Sequence, residues 1–328
     1  VLLLSFAVGY LVLLPTDLRN LSQAAVSIIG FAANIFFYFE IDYFNHFANN
    51  NPLLHFWSLS LEEQFYFVTP SVFLLIGKRK KLLNGFLLII FLSSLYVYLK
   101  NLGDNEQLAF YSLHTRAWQL TLGALVARLR PLNSEPPFDR IMADVISSIG
   151  LFLIIASYFG TFNIFNGSSE LVISVSTAIL ILAVREDSHV GSVLKFNVLT
   201  QLGLLSYSLY LIHNPVFEFI EYIYDLELNS KITSYKLLSL LVILPLAKLS
   251  YKYLESPMRN QSSVRNKTAM LSLASISTII VIFGLIGHKT RGFEDIKINE
   301  IELLVDEGLE LSEIAKVRTR IGKRFNPA

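Results

Sequence analysis

Residues 82–99 read LLNGFLLIIFLSSLYVYL, a run of apolar and small residues that contains no charge. A helix needs about 20 mainly apolar residues to cross the hydrocarbon core of a bilayer, so this run predicts a membrane helix. The basic segment 78–81, KRKK, directly precedes it. Basic residues of this kind flank membrane helices on the cytoplasmic side, which gives the run a direction as well as an identity.

Similar apolar runs follow one another along most of the chain. The sequence therefore predicts an all-α protein, a polytopic transmembrane helical bundle of about ten membrane segments. The predicted segments are 1–14, 21–39, 61–77, 82–99, 110–127, 143–160, 171–184, 197–224, 234–254 and 268–287.

The composition agrees with this interpretation. Of the 328 residues, 53% are hydrophobic and 16% are charged, whereas about 25% charged residues are usual in soluble domains. The mean hydropathy is +0.52. So few charges would not cover the surface of a soluble enzyme, and we expect the lipid bilayer to be the main partner of the chain.

Charge and cysteine content exclude several functions. The formal net charge of +1 provides no basic footprint for nucleic acid. The absence of Cys excludes thiolate metal sites and Cys nucleophiles, and we expect neither a metal nor a bound cofactor. The motifs G-x-S-x-G, H-E-x-x-H and Walker A are also absent from the sequence.

The distribution of Lys and Arg predicts the orientation. Alternate connections between the predicted helices are rich in Lys and Arg, and they define one side of the membrane. The connections on the opposite side hold only two basic residues, Lys100 and Lys231, with Lys236 at a helix edge, and residues 40–60 hold no basic residue. The basic side is expected to be cytoplasmic. It comprises Arg19, 78–81, Arg128, Arg130, Arg140, Arg185, Lys195, Lys248, Lys252, Arg259, Arg265 and Lys267.

This orientation divides the chain into two parts. Residues 1–287 form the predicted membrane domain, and residues 288–328 form a charged tail on the same outer side as residues 40–60. Leu and Ile recur at helical spacing in the tail between Leu303 and Ile314, which favours an amphipathic helix. In a bacterial cytoplasmic (inner) membrane, the tail would be periplasmic.

The segment Asn51–Tyr66, NPLLHFWSLSLEEQFY, is the richest in chemical groups. Ser60 and Glu63 have the spacing of a capping box, which would explain Glu63 structurally. Glu62 lies on another helix face, and carboxylates at membrane depth usually face a cavity or a partner. A contact between His55 and Glu62 is one such pairing.

A second polar group lies in the segment YSLHTRAWQL, residues 111–120. Arg116 would lie about seven residues into a membrane helix, roughly 10 Å deep. It either snorkels to the interface or pairs with Glu62, Glu63 or Asp42, or with a ligand carboxylate or phosphate, since Arg suits bidentate recognition of oxyanions.

Two further polar motifs lie near the C-terminal end of the membrane domain. In Ser206–Pro215, His213 comes before a mid-span proline, where a kink would free backbone carbonyls. It is either a packing residue or part of a polar cavity. In Leu249–Arg259, Glu255 and Arg259 have the spacing of an i, i+4 surface pair. These features fit either a membrane enzyme or a transporter.

The four motifs, in this order, resemble those of the acyltransferase-3 family of membrane acyltransferases, and most closely the branch that O-acetylates lipopolysaccharide O-antigen and other surface glycans. The matching segments are Asn51–Tyr66, Arg116–Gly123, Ser206–Pro215 and Tyr251–Arg259. The resemblance implies transfer of an acyl group, most simply acetyl from acetyl-CoA, to a sugar hydroxyl outside the cytoplasm. Acyl-CoA and a surface glycan are then the expected partners.

The sequence departs from the family pattern in three places. The N-terminal helices that carry the family's proposed catalytic His and an Arg-rich acyl-CoA loop would precede Val1. The SGNH-type domain of many members would follow the tail. Gln119 stands where the pattern has Glu, so a carboxylate role is lost there. We therefore expect the 328-residue chain to be a fragment that does not acetylate glycans by itself.

The resemblance implies roles for single residues. With the proposed base absent, His55 and His213 are the nearest substitutes, and the remaining candidates would shape the acceptor cavity. An alternative is a proton-coupled transporter or flippase of a lipid-linked glycan, with Glu62, Arg116 and His213 as relay, and a third is an inactive fragment. The cavity candidates are Trp57, Glu62, Glu63, Arg116, Gln119 and Tyr207.

Overall fold

A computed structural model of the chain describes residues 1–40, 51–131, 136–159, 169–227, 232–259 and 267–297. Every regular element in these ranges is helical, which confirms the all-α class. The helices are α1 (Leu2–Val12), α2 (Pro15–Ile29), α3 (Ala33–Glu40), α4 (Phe56–Ile76), α5 (Lys80–Asp104), α6 (Glu106–Tyr111), α7 (Leu113–Leu129), α8 (Arg140–Tyr158), α9 (Ser169–Ala183), α10 (His189–Leu194), α11 (Asn197–Glu227), α12 (Ile232–Ser250), α13 (Ser256–Arg259) and α14 (Lys267–Lys289), with a π turn over Tyr251–Glu255 between α12 and α13.

Long apolar helices account for the membrane character of the bundle. Within the described residues, three helices are long and apolar enough to cross a bilayer: α5, α8 and the Met270–Lys289 part of α14. Helices α1 and α9 are apolar but shorter. Large side chains on these helices face outward, including Ile89, Phe152 and Phe283, which are more than half exposed. Lipid is the solvent that such surfaces require.

One predicted span, residues 21–39, is wrong because it is not a single helix. Helix α2 ends at Ile29 and α3 begins at Ala33. Phe31, between them, has a φ of 53°, a left-handed conformation that no helix tolerates. The apolar content of this segment is sufficient for a span, but 15 residues of α2 cover only about 22 Å at 1.5 Å per residue.

The connection between α1 and α2 lies beside the C-terminal ends of α11 and α14. The hydroxyl of Tyr222, near the end of α11, accepts from the backbone N–H of Leu14 and donates to Asp17, both at 2.9 Å. Gly292, just after α14, packs against the carbonyl of Pro15. We call this end of the bundle, which contains Tyr222 and Lys289, the tail end.

The basic segment 78–81 lies at the opposite end. Helix α4 runs antiparallel to α11: its first residues contact Tyr210, while Glu62, further along α4, acts on Tyr207, which is nearer the start of α11. The end of α4, and segment 78–81 after it, therefore lie toward the start of α11.

This arrangement corrects the predicted position of Arg19. The basic pattern placed Arg19 on the same side as segment 78–81, but Arg19 lies only four residues after Pro15 and so belongs to the tail end. The prediction failed because it assumed that residues 21–39 cross the membrane once. Since α2 and α3 are separate helices, the chain can enter and leave this region at the same end of the bundle.

Labelling of single cysteines tests this topology, since the native chain has no Cys. Arg19, Lys80 and Lys289 are all exposed. An impermeant thiol reagent should modify Arg19→Cys and Lys289→Cys from the same face of the membrane, and Lys80→Cys only from the other face. Labelling of Arg19→Cys together with Lys80→Cys would contradict the arrangement of α1 and α2.

Gly292 provides a test of the contact between α14 and α2. Its φ is +80°, and a Cβ atom there would lie 1.7 Å from the oxygen of Pro15. Left-handed backbone alone costs a non-Gly residue about 1–3 kcal/mol, so Gly292→Ala should lower the melting temperature of the protein in detergent. Gly85→Ala is the matched control, because a Cβ added at Gly85 would meet nothing within 4 Å. Helix propensity predicts an equal or higher melting temperature for this control, and equal values for both variants would refute the contact.

Candidate functional site

His55 and His213 lie side by side where the first and third sequence motifs meet. His55 precedes α4, and His213 lies in the middle of α11. Their ring centroids are 5.4 Å apart, and the ring of Tyr210 is 5.3 Å from His55 and 5.6 Å from His213. The structure therefore brings together the two histidines that the sequence proposed separately. We call His55, Ser58, Tyr210 and His213 the histidine cluster.

The imidazole of His55 is buried without a hydrogen-bond partner. Its residue is 8% exposed, and neither ring nitrogen makes a hydrogen bond within the described part of the chain. The backbone of Pro52 and of Leu211 lies close enough to act on the ring, but without adequate hydrogen-bond geometry. Buried polar groups are nearly always paired, so an unpaired one calls for a functional explanation.

His213 has a defined tautomer when it is neutral. Its Nδ1 lies 2.7 Å from the carbonyl oxygen of Tyr210 and 3.2 Å from that of Leu209. A carbonyl accepts hydrogen bonds, so Nδ1 must carry the proton and Nε2 is left with a free lone pair. An imidazole held in this way can accept a proton at Nε2, as a general base requires.

Tyr210 fixes the turn before α4 against α11. Its hydroxyl donates to the carbonyl of His55 at 2.6 Å and is also hydrogen-bonded to the hydroxyl of Ser58. One turn further along α11, the amide of Asn214 donates to the carbonyl of Pro52 at 3.2 Å. These bonds join the first motif to the third and hold both imidazoles in place.

A carboxylate-rich region lies further along α4 and toward the start of α11. Glu62, Glu63 and Glu255 all act electrostatically on Tyr207. The hydroxyl of Ser208 donates to Glu255 at 2.8 Å. Glu255 ends the π turn, a helix distortion that often marks functional sites. The fourth motif thus reaches the first one through α11.

The structure tests the roles predicted for Glu255 and Glu63. The predicted pair of Glu255 with Arg259 is confirmed at 3.6 Å, although the Glu255 side chain is only 10% exposed and is therefore not a simple surface group. The predicted capping box is wrong, because α4 already begins at Phe56. The Ser60 hydroxyl instead accepts from the backbone N–H of Ala33, at 3.2 Å, and anchors the start of α3.

Arg116 forms a second polar site, together with a residue that the sequence did not suggest. Its guanidinium makes a bidentate ion pair with Glu170, at 2.6 and 3.0 Å, and its Nε donates to the carbonyl of Phe110 at 3.1 Å. The hydroxyl of Tyr98 donates to Glu170 at 2.9 Å. Aromatic rings surround the guanidinium, with Phe110 at 4.8 Å and Trp57 at 5.6 Å from its central carbon.

This geometry overturns the predicted partners of Arg116. Glu62 and Glu63 make no ion pair with it in the described chain, and Asp42 lies outside the described residues. Helix α7 begins at Leu113, so Arg116 lies only about 4.5 Å into the helix rather than 10 Å. At this level it meets the first turn of α9, where Glu170 is the acidic residue. The sequence signal that could have identified Glu170 as the partner is its position as a lone carboxylate directly before the apolar run 171–184.

Gln119, one turn after Arg116, contributes a neutral contact. Its amide donates to the hydroxyl of Ser174 at 3.3 Å, which joins α7 to α9. The position therefore ties two helices together without a charge. Within the described residues, no three His, Asp or Glu side chains converge in a way that could hold a metal ion.

A double-mutant cycle tests the ion pair of Arg116 with Glu170. Arg116→Lys cannot reproduce the bidentate geometry, and Glu170→Gln removes the counter-charge. The two changes should be non-additive in the free energy of unfolding by about 0.5–3 kcal/mol, the range for residues in direct contact. The control cycle uses Lys195→Met and Glu186→Gln, a pair with 56% and 88% exposed side chains. The hydrogen bond from Lys195 lowers the pKa of Glu186, but solvent screens the pair, and its changes should be additive. Additive behaviour of the first pair would contradict the geometry.

The helices and the buried polar groups define an integral, multi-pass membrane protein with two polar sites inside its bundle. The profile of the acyltransferase-3 family, described as an acyltransferase domain, matches residues 1–250. The match covers more than half of the 328 residues. The chain belongs to the acyltransferase-3 family.

Three curated relatives show similarity over most of the chain. O-acetyltransferase OatA of Staphylococcus aureus (strain MRSA252) is 28% identical over 300 residues, 84% of this chain and 49% of the relative. Peptidoglycan O-acetyltransferase OatA of Listeria monocytogenes is 25% identical over 305 residues, 83% and 48% of the two chains. Putative peptidoglycan O-acetyltransferase YrhL of Bacillus subtilis is 28% identical over 278 residues, 79% and 43%. The chain thus spans about half the length of these relatives. No solved structure matches it significantly.

Proposed function

We propose that this chain is the membrane part of an O-acetyltransferase that modifies a cell-wall glycan. The observation that carries the proposal is the histidine cluster. In it, neutral His213 has Nε2 as its unprotonated nitrogen, beside the imidazole of His55, which has no hydrogen-bond partner among the described residues. Membership of the acyltransferase-3 family supports acyl transfer as the reaction. The names of the relatives support acetyl as the group that is transferred.

The chemistry of O-acetylation requires few groups. A sugar hydroxyl loses its proton to a base, its oxygen bonds to the acetyl carbonyl carbon, and the bond from that carbon to the leaving group breaks. With acetyl-CoA as the donor substrate, the leaving group is a thiolate, which takes up the proton. His213 Nε2 is the proposed base. Tyr210 holds the His213 ring through its carbonyl, and His55 through its hydroxyl.

The acceptor is the point at which the proposal differs from the sequence-based expectation. The motifs suggested a surface glycan such as lipopolysaccharide O-antigen. Two of the three relatives described above carry peptidoglycan in their names, and none carries O-antigen. We therefore propose peptidoglycan, or its lipid-linked precursor, as the acceptor. The acetyl donor would arrive from the cytoplasm and the acceptor would bind at the tail end of the bundle.

The transport alternative receives less support from the geometry. A proton relay through Glu62, Arg116 and His213 needs these residues in one connected path. Arg116 is instead bound by Glu170 and the Phe110 carbonyl, at a different site from the histidine cluster. The acetyl-transfer assay separates the transport alternative from the proposal, because a flippase would not transfer acetyl groups. The same assay with the 328-residue chain alone tests the inactive-fragment alternative.

The test compares histidine variants in membranes. Because the relatives are about twice as long, the assay uses the complete reading frame that encodes this chain, expressed in a bacterium without peptidoglycan O-acetylation of its own. His213→Gln should reduce transfer of labelled acetyl from acetyl-CoA to peptidoglycan by about 10²–10⁴-fold, the usual contribution of a general base. His55→Gln should also reduce transfer.

His114→Gln is the matched control, because His114 is exposed at the start of α7 and makes no contact in the histidine cluster. Its transfer rate should equal that of the unmodified protein. Normal transfer by His213→Gln, at normal protein levels, would refute the role of His213. Absence of transfer by the unmodified protein would refute the proposed function.

A further inference from the structure

A cavity of about 300 Å³ opens beside the Arg116–Glu170 ion pair. Ligand pockets in proteins begin at about this size, so it has room for one small ring. Helices α5, α6, α7 and α9 contribute to its wall. The lining residues include Tyr98, Leu102, Glu106, Phe110, Arg116 and Glu170. Since α5 ends and α9 begins here, the cavity lies at the tail end of the bundle.

The charges in the cavity disfavour an anionic ligand. The two N–H groups of Arg116 that point at Glu170 are already bound to its carboxylate oxygens, so the guanidinium is neutralised. Glu106 is exposed at the rim and makes no ion pair in the described chain. The wall therefore has a net negative charge and a surplus of hydrogen-bond acceptors.

The remaining features suit a neutral polyhydroxylated ring. The carboxylates of Glu106 and Glu170 can accept hydrogen bonds from hydroxyl groups, and charged acceptors make the stronger bonds. The rings of Tyr98 and Phe110 supply apolar surface for the C–H face of a pyranose. A few placed polar groups within an aromatic wall are typical of ligand sites.

An aromatic contact joins the cavity wall to the first sequence motif. Phe110 lies 4.3 Å from Trp57, and Trp57 lies next but one to His55 in the chain. The cavity wall therefore borders the segment Asn51–Tyr66, which also carries His55.

We propose that this cavity binds a neutral saccharide ring and thereby positions the glycan acceptor. The identity of the acceptor rests on the proposed function, whereas the binding of a saccharide ring does not. The hydroxyls of the ring bind to Glu106 and Glu170, and its apolar face packs on Phe110 and Tyr98. Arg116 keeps Glu170 in position and does not bind the ligand directly.

Direct binding tests the proposal without acetyl transfer. The chain has two Trp residues, and each packs against a residue of the cavity wall: Trp57 against Phe110, and Trp118 against Tyr98. Tryptophan fluorescence of the complete protein in lipid nanodiscs should change saturably with chitotetraose, a neutral oligosaccharide, in the absence of any acetyl donor. A tetramer of galacturonic acid, which is anionic, should bind at least ten-fold more weakly.

Two variants and one control locate the site. Leu102→Phe fills the cavity and should raise the Kd for chitotetraose at least ten-fold. Glu106→Gln lies on the exposed rim, so it should fold normally, weaken binding several-fold and reduce the discrimination against the anionic probe. Asp104→Asn is the control: it neutralises an exposed acidic residue two positions before Glu106 and outside the cavity wall, and it should leave the Kd for chitotetraose unchanged.

The outcomes separate this inference from the proposed function. Saturable binding that both cavity variants weaken supports the subsite, whether or not acetyl transfer is found. Absence of saturable binding, or equal Kd values for the unmodified protein, Leu102→Phe and Glu106→Gln, overturns the subsite. Acetyl transfer with an unchanged acceptor KM in Leu102→Phe overturns the subsite and leaves the proposed function intact.

Discussion

The hydroxyl of Tyr210 is the point on which the candidate site depends. It donates to the carbonyl of His55 and shares a hydrogen bond with Ser58, and so it fixes the turn before α4 in the middle of α11. Inside a bilayer, water is not available to satisfy backbone groups, and each polar contact must come from the protein. Together with the bond from Asn214 to Pro52, this attachment brings His55 beside His213 and Glu62 toward Tyr207.

Hydropathy predicted the helices well because it reports on the solvent that surrounds a segment. Most predicted runs coincide with one helix, and in α8 and α14 the ends agree within a few residues. The exceptions are residues 21–39, which divide between α2 and α3, and residues 110–127, which begin in α6 and continue in α7 after a break at Ser112. The break at Phe31 was not predictable from hydropathy, since a re-entrant pair of helices and a single span bury the same apolar residues. Only the positive φ of Phe31 and the contacts of Pro15 distinguish them.

The candidate site was predictable in its residues but not in its pairings. The motifs singled out His55, His213, Trp57 and Arg116, and the structure places all four at two neighbouring sites. Arg116 and Glu170 are 54 residues apart in the chain, so no local spacing relates them. Depth was the deciding error: with α7 beginning at Leu113, the guanidinium meets α9 at the rim of the bundle and not α4 further inside.

The π turn at Tyr251–Glu255 determines the rotational register of the last motif. Ser239, Ile243 and Ala247 form a buried stripe along α12. In a regular α-helix, eight further residues at about 100° each would turn Glu255 about 80° away from Ala247. The wider π turn takes up most of that rotation, because it fits one more residue into the same turn. Glu255 therefore returns to the buried stripe and reaches Ser208. A helical wheel drawn through this segment at constant pitch would turn its carboxylate away from the buried stripe, and deletion of one residue from the turn would do so physically.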